Sequence, residues 1–295
     1  RSSPVQIPGT TWASGTIGSW AIMSKTDGTL WAWGSSGIGG LGQNQGPGQS
    51  DGYSSPVQVG GGTDWATGIG QQGNGYISQA IKTDGTLWAW GYNEYGQLGL
   101  NQSGPSYFRS SPTQIPGTSW ASLGQCTTFA YAAIRTDGTL WTWGRNHPDY
   151  GNLGHNNKSD YSSPKQIPGT TWKNISMSQY HSMATKTDGT LWAWGKNTPG
   201  VLGQNNRTSY SSPKQIPGTT WSVCYSQPAT SMMIKTDGTL WTIGSSNEGI
   251  LGNGLGNGSP DLSSPIQIGS KTDWLRGGVG AEGLTGLRRV TDDAS

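Results

Sequence analysis

Apolar and polar residues alternate along this chain in short bursts, and no long stretch carries apolar residues at helical spacing. The clearest burst is LWAWG at 30–34, where Trp31 and Trp33 fall on one face of an extended strand and Leu30, Ala32 and Gly34 on the other. Gly, Pro, Ser, Thr and Asn clusters bound each burst, so the pattern predicts short strands joined by turns. Four strands can be read in each stretch of roughly fifty residues, a period diagnostic of repeats. They are PVQI, the segment starting TTWA, the apolar residues before Thr-Asp-Gly (SMATK at 182–186), and TLWAWG. Asp-Gly between the last two predicts a hairpin.

The bursts repeat. TDGTLW or its equivalent stands at 26–31, 83–88, 136–141, 187–192 and 236–241, and a degenerate sixth copy falls at 291–295. Asp27, Asp84, Asp137, Asp188 and Asp237 occupy the same place in each full copy, at intervals of 57, 53, 51 and 49 residues. Their recurrence marks them as turn residues rather than catalytic acids. A second motif, SSPxQI followed by PGTTW or a close variant, alternates with the first. Units of this size and strand count predict an all-β fold, a β-propeller of four-stranded antiparallel blades spanning 1–295 as a single domain, with a solenoid as the alternative. Six blades are expected, the last one incomplete and closed by the N-terminal PVQI strand. Trp31, Trp33, Trp88, Trp90, Trp141, Trp143, Trp192, Trp194 and Trp241 are expected in the core, a bulky face of one blade against a small face of the next.

Composition narrows the function. The chain has 49 Gly and 16 Trp in 295 residues, 12% charged residues and a net charge of +2. Without a basic stripe there is little electrostatic reason to bind nucleic acid. No apolar run reaches the roughly 20 residues that span a bilayer, so membrane insertion is not expected. Cys126 and Cys224 sit at different offsets in different repeats and read as free thiols. The chain begins inside a repeat, which suggests part of a longer chain or larger assembly.

The segments YHSMATKTDGTLWAWGKN (180–197) and TDGTLWAWGYNEYGQLG (83–99) resemble the regulator of chromosome condensation repeat family. The tight TDGTLWAWG form is most similar to its bacterial and phage branch. The resemblance implies a propeller; the family's founding members have seven blades and act on a small nuclear GTPase. The family histidine, seven residues before the Asp, is kept only at His181; Trp20, Ile77, Ala130, Thr230 and Thr285 replace it elsewhere. No exchange-factor motif or basic tail maps onto the chain.

Strand parity then sorts the connections. In a four-stranded antiparallel blade, the Asp-Gly turn and the PGTT connection fall at one end, and the Trp-to-Thr stretch and the LGxN stretch at the other. The first pair is nearly invariant and the second diverges, the Trp-to-Asp spacing running 15, 19, 17, 16, 16 and 18 residues. Tyr, Ser, Gly, Asn and Gln recur in the divergent text, a composition suited to adaptable contact. The expected recognition residues are Trp20, Gln72, Asn74, Tyr76, Gln125, Phe129, Tyr180, His181, Tyr225 and Gln227, with His181 also readable as a structural histidine.

Catalytic and metal signatures do not emerge. There is no His/Cys cluster, phosphate loop or paired-carboxylate spacing, so no metal, cofactor or enzymatic activity is expected. Asn/Asp-rich GHNNKSD and NGLGNGSPD lack a regular calcium-ligand spacing. The leading expectation is a non-enzymatic binding or adhesion propeller displayed extracellularly or on a virion, recognising a surface glycan or protein. The alternatives are an intracellular regulator of a small GTPase, a purely structural or decoration protein, and a hydrolase or lyase with a channel site.

Overall fold

Each Lys-Thr-Asp-Gly-Thr segment closes a hairpin through its own side chains. In the computed structural model, which describes residues 6–18, 20–35, 38–45, 52–69, 76–126, 129–280 and 283–288, Gly28 N–H donates to the Lys25 carbonyl at 3.1 Å, and the bond recurs in Gly85, Gly189 and Gly238 at 2.9–3.0 Å. All five turn glycines are left-handed, with φ between 74° and 80°. This is a three-residue hairpin loop with a glycine bulge rather than the tighter two-residue form. Asp27 Oδ1 accepts the Thr29 amide at 3.0 Å and the Thr29 hydroxyl at 2.6 Å, and the hydroxyl in turn accepts Trp31 Nε1–H at 2.7 Å. The same chain of bonds forms around Asp84, Asp137, Asp188 and Asp237. The Thr29 hydroxyl and then the Thr29 amide hold the Asp27 carboxyl below the usual range.

By compactness the chain divides into two units: Arg1–Thr136, Trp143–Arg145 and Asp160–Lys165, then Asp137–Thr142, Asn146–Ser159 and Gln166–Ser295. Strands β1 (Trp12–Ile17), β2 (Trp20–Lys25), β3 (Leu30–Gly34) and β4 (Tyr53–Gln58) pair antiparallel in that order. So do β5 (Trp65–Ile69), β6 (Ile77–Lys82), β7 (Leu87–Gly91) and β8 (Arg109–Ile115). In the third repeat β9 (Trp120–Leu123) is followed beyond Gly124 by β10 (Gln125–Cys126); β9, β11 (Ala130–Arg135), β12 (Leu140–Gly144) and β13 (Tyr161–Gln166) make its sheet. The fourth repeat has β14 (Trp172–Met177), β15 (His181–Lys186), β16 (Leu191–Gly195) and β17 (Tyr210–Ile216), and the fifth β18 (Trp221–Ser226), β19 (Thr230–Lys235), β20 (Leu240–Gly244) and β21 (Leu262–Gln267). Strands β22 (Trp274–Gly280) and β23 (Gly283–Arg288) form a two-stranded sheet. The SSPxQ strand is thus the outer strand of the preceding repeat's sheet, as strand parity requires. The N-terminal PVQI strand and the degenerate copy at 291–295 lie in whole or in large part outside the described residues.

Successive repeats are bonded at three points. The turn glycine carbonyl accepts the amide of the next repeat's leading Trp: Gly28 to Trp65 at 3.0 Å and Gly85 to Trp120 at 2.9 Å in the first unit, Gly138 to Trp172 and Gly189 to Trp221 at 2.9 Å in the second. The second Trp of LWAWG donates Nε1–H backwards to the preceding repeat's LG loop: Trp90 to Gly40 O, Trp143 to Gln97 O and Trp194 to Asn152 O, at 2.8–3.0 Å. The left-handed Asn of LGxN donates its amide to the next outer strand, as in Asn44 to Ser110 O and Asn205 to Ser263 O.

Side chains follow the bulky-against-small pattern. In the first unit, Leu30, Ala32 and Leu41 pack with Trp65 and Trp90 of the next repeat; in the second, Leu191, Ala193 and Leu202 pack with Trp221 and Ile243. Trp90, Trp143 and Trp194 are fully buried. Trp31, Trp33, Trp88, Trp141, Trp192 and Trp241 are only half-buried, which refines the expectation of a uniform Trp core. The first Trp of the pair stays at the surface because a cation covers it: Lys25 Nζ lies 4.2 Å from the Trp31 ring centroid, and Lys82, Lys186 and Lys235 lie 4.8, 4.7 and 4.0 Å from Trp88, Trp192 and Trp241. Among the described residues no helix is long and apolar enough to cross a membrane.

Candidate functional site

The sheet ends away from the Asp-Gly turns carry the residues that the repeat does not dictate. There, the residue before the turn-side hairpin's first strand pairs with the residue after LWAWG or its variant: Tyr92 N–H donates to Tyr76 O, Arg145 to Phe129 O, Lys196 to Tyr180 O and Ser245 to Ala229 O, at 2.9–3.0 Å. One backbone frame therefore holds four different side-chain pairs.

In the first unit this frame gathers an aromatic cluster. The Tyr76 and Phe129 ring centroids lie 4.6 Å apart, Tyr95 and Phe129 5.1 Å, and Tyr76 and Tyr92 5.8 Å. The Arg145 guanidinium carbon stands 4.6 Å from the Tyr95 centroid and 6.0 Å from Phe129. The Tyr92 hydroxyl donates to the Glu94 carboxylate, and that bond, with burial second, pushes the phenol up to about 12. In the second unit His147 stacks on Tyr150 at 4.6 Å and 29°, meets Tyr180 edge-on at 5.4 Å, and Lys196 Nζ lies 4.7 Å from the Tyr180 centroid. All ten residues are half-buried.

Of the ten residues expected from sequence, Tyr76, Phe129 and Tyr180 belong to these clusters. Gln72 and Asn74 lie outside the described residues, and Gln125 lies in β10. Trp20, His181, Tyr225 and Gln227 are corrected: all four are buried, at 4%, 0%, 6% and 8% exposure. Trp20 and His181 open their strands and point inward, where each reaches the next repeat. Trp20 Nε1–H donates to Ser78 Oγ at 2.9 Å, and His181 Nε2 meets Ser231 Oγ at 2.8 Å while Nδ1 meets Ser178 Oγ at 3.0 Å. Burial first, then the nearby Lys196 charge, lowers the His181 pKa to about 3, so the ring is neutral.

Sequence reasoning missed Tyr92, Tyr95, Arg145, His147, Tyr150 and Lys196. Their signal was available: Tyr92, Arg145 and Lys196 follow LWAWG or LWTWG directly, and Tyr95, His147 and Tyr150 lie within the next six residues. A cleft of about 430 Å³ in the second unit, between Gln215, Pro217, Trp221, Lys235, Trp241 and Pro265, is lined by residues of the repeated text. Among the described residues no group of three or more His, Cys, Asp or Glu gathers. Cys126 and Cys224 are free and buried, and burial raises both thiols.

The regulator of chromosome condensation (RCC1) repeat model matches residues 84–129, 137–185 and 188–223, and a second RCC1 repeat model matches 172–200. The chain is 44% identical over 69 residues to the X-linked retinitis pigmentosa GTPase regulator homolog of Caenorhabditis elegans, a match covering 22% of this chain and 5% of that protein. It is 34% identical over 110 residues to the Protein RCC2 homolog of Danio rerio, covering 36% of this chain and 21% of the relative. The matches therefore span less than a quarter of these curated relatives. Human WBSCR16 superposes with a TM-score of 0.77 at 19% identity, covering 97% of this chain and 75% of that one. Saccharomyces cerevisiae Prp20p, characterised for binding to Gsp1p and histones, superposes with a TM-score of 0.74 at 16% identity, covering 93% and 68%.

These relatives overturn the extracellular or virion location. The sequence relatives are named as a GTPase regulator homolog and an RCC2 homolog, not as surface or virion proteins, and the low charge and Ser/Asn-rich composition behind that expectation suit any surface of short turns. The partners named for Prp20p are proteins, and none of these relatives supports a surface glycan.

Proposed function

We propose that this chain of RCC1-type repeats, a β-propeller, is a protein-binding regulatory module whose partner-contacting residues lie at the divergent sheet ends, the first unit's cluster and the second unit's each taken by itself. One observation carries the reading. Three repeats put half-exposed aromatic or cationic residues at two positions where the fifth repeat forms the same backbone bond with Ala229 and Ser245. The fold does not need large rings there. Tyr, Phe, His and Arg are residue types that concentrate binding energy in interfaces or adapt to partners. The same reading takes 1–295 as one domain of six blades.

Site-specific photocrosslinking tests it. A benzoylphenylalanine at Phe129 or Tyr180 is expected to crosslink one defined protein in cells, and the same probe at the exposed Thr83 on the opposite sheet end is not. Equal crosslinking from Thr83, or none from either rim position, overturns the reading.

A second reading, regulation of a small GTPase, is favoured by the relatives that are named for or bind such proteins. Accelerating nucleotide release requires binding and distortion of the partner rather than acid–base or metal chemistry on this chain. Purified small GTPases loaded with a fluorescent guanine nucleotide would lose it faster in the presence of this chain, and Phe129→Ser with Arg145→Ser would abolish the acceleration.

A further inference from the structure

Resting on the docking reading above, we infer that the seat formed by Arg145, Tyr95 and Phe129 receives a carboxylate from an acidic segment of the partner, and that Lys196 on Tyr180 and Tyr150 forms a corresponding seat in the second unit. Among the described residues, Arg145 and Lys196 have no carboxylate within ion-pairing distance, in contrast to Lys82, which pairs with Asp64, and Arg207, which pairs with Asp261. Nor does either side chain donate a hydrogen bond. Their partners are rings: Arg145 lies over Tyr95 and Phe129, Lys196 over Tyr180 and Tyr150, at 4.6–6.0 Å.

The acid beside the first seat is in the opposite condition. Glu94 accepts the Tyr92 hydroxyl, so its charge is engaged within the molecule while Arg145 is held ready; beside the second seat the Asp149 amide donates to His147 Nδ1 and the Asp149 carboxylate stays largely exposed. Elsewhere the repeat places its cations over paired Trp rings in every unit, but those lie at the Asp-Gly end and belong to the fold. Arg145 and Lys196 follow LWTWG or LWAWG, where repeats one and five carry Ser35 and Ser245, so no fold requirement puts cations there.

An aromatic seat suits a cation that must meet an anion. The rings fix its position and strip part of its hydration without neutralising it. A carboxylate arriving at Arg145 then gains a charge-assisted, two-pronged contact in a partly desolvated place, where such contacts are strongest. The adjacent faces of Tyr76 and Phe129 offer apolar contact to a residue beside the acid.

Fluorescence anisotropy on the intact chain tests this with three labelled twelve-residue peptides of alternating charge and Phe: a Glu version, its Gln counterpart and its Lys counterpart. The Glu peptide is expected to bind about tenfold or more tighter than the Gln peptide, and to weaken as salt rises through the screening range. Arg145→Gln is expected to remove that preference, and Arg145→Lys to keep part of it. Circular dichroism melting of each variant separates loss of the seat from loss of fold. A Lys peptide that binds as well as the Glu peptide, no binding of the Glu peptide at about 1 mM, or a Glu preference unchanged in Arg145→Gln overturns the inference. Crosslinking from Phe129 to a neutral or basic stretch of a partner would also overturn it while leaving the docking reading intact. Absence of crosslinking from Phe129 and Tyr180 would remove both.

Discussion

The two ends of each sheet use the same strands for opposite purposes. At the Asp-Gly end every residue of Lys-Thr-Asp-Gly-Thr-Leu-Trp has a partner dictated by the repeat: the Lys covers Trp rings, the Asp and Thr form the bond chain to the indole, and the Gly carbonyl receives the next repeat's amide. At the other end only backbone is specified. Tyr92, Arg145, Lys196 and Ser245 all donate the same amide bond to Tyr76, Phe129, Tyr180 and Ala229. Fidelity of text therefore follows where side chains, not just backbone, bind the neighbouring repeat, and side chains released from that duty are available for a partner. Substitutions at the two ends should separate stability from binding.

The largest loss of stability is expected from Gly189→Ala. A Cβ there would stand 2.1 Å from Thr219 O, on a residue with φ of 79° whose carbonyl also accepts Trp221 N–H. Strain and displacement of that junction together should cost about 3 kcal/mol or more. Gly254→Ala is the control: its φ is also 79°, but nothing lies within 4 Å of the new Cβ, so only the backbone penalty of about 1 kcal/mol remains. Urea unfolding followed by Trp fluorescence would rank them, and equal losses would mean that the turn-to-turn contact carries no weight.

Next comes Trp194→Phe. It empties part of a fully buried site and leaves the Asn152 carbonyl without its indole donor, for an expected cost of about 2 kcal/mol. Trp192→Phe loses the bond to Thr190 on a half-buried ring but keeps an aromatic face for Lys186 and Trp172, and should cost about 1 kcal/mol or less. A reversed order in the same urea assay would place the interlock on the wrong Trp.

How much of this was legible follows from where information repeats. Five copies of one turn, with a period-two strand after it, are sufficient to read the four-strand unit, the outer position of the SSPxQ strand and the bulky-against-small packing. The candidate site was legible only in part, for a reason of parity. Tyr76, Phe129 and Tyr180 end a loop and face outward, whereas Trp20 and His181, one position further on in their repeats, open the strand and face inward, since a one-residue step along a strand changes face. No local feature of the text separates position n from n+1 without the strand's starting point. Arg145 and Lys196 went unseen because they belong to a connection whose neighbouring letters, WG and LG, are constant.

The inward step at His181 gives the third prediction. Its folded pKa of about 3 lies below the ordinary 6.5, so between those values the unfolded chain binds more protons than the folded one. Stability should be full above about pH 6.5 and fall as pH drops through that window, at up to about 1.4 kcal/mol per pH unit from this group. Asp27, Asp84, Asp188 and Asp237, whose pKa values are lowered below 3.8, add losses only at more acidic pH. His181→Thr, which installs the fifth repeat's residue, should flatten the decline between pH 6.5 and 4.5 while leaving neutral-pH unfolding cooperative. A slope unchanged in that variant would mean the histidine is not held neutral.

The smallest expected effect on stability is the most informative about function. Tyr180→Ala with Lys196→Ser rewrites the fourth repeat's rim in the fifth repeat's residues, keeping the amide-to-carbonyl bond that both repeats share. What is lost is half-buried ring contact with His147 and Tyr150 and a cation over a ring, so the urea midpoint should move by an amount equivalent to about 1 kcal/mol or less. Binding should fall far more, because exposed aromatics and cations contribute to an interface chiefly when a partner completes their burial. Crosslinking from position 129 in this background would still report the first unit's cluster, while crosslinking from a probe at Tyr150 should disappear. If the double substitution instead destabilised the chain as much as Gly189→Ala, the divergent end would be as structural as the Asp-Gly end, and the division between them would no longer mark where a partner binds.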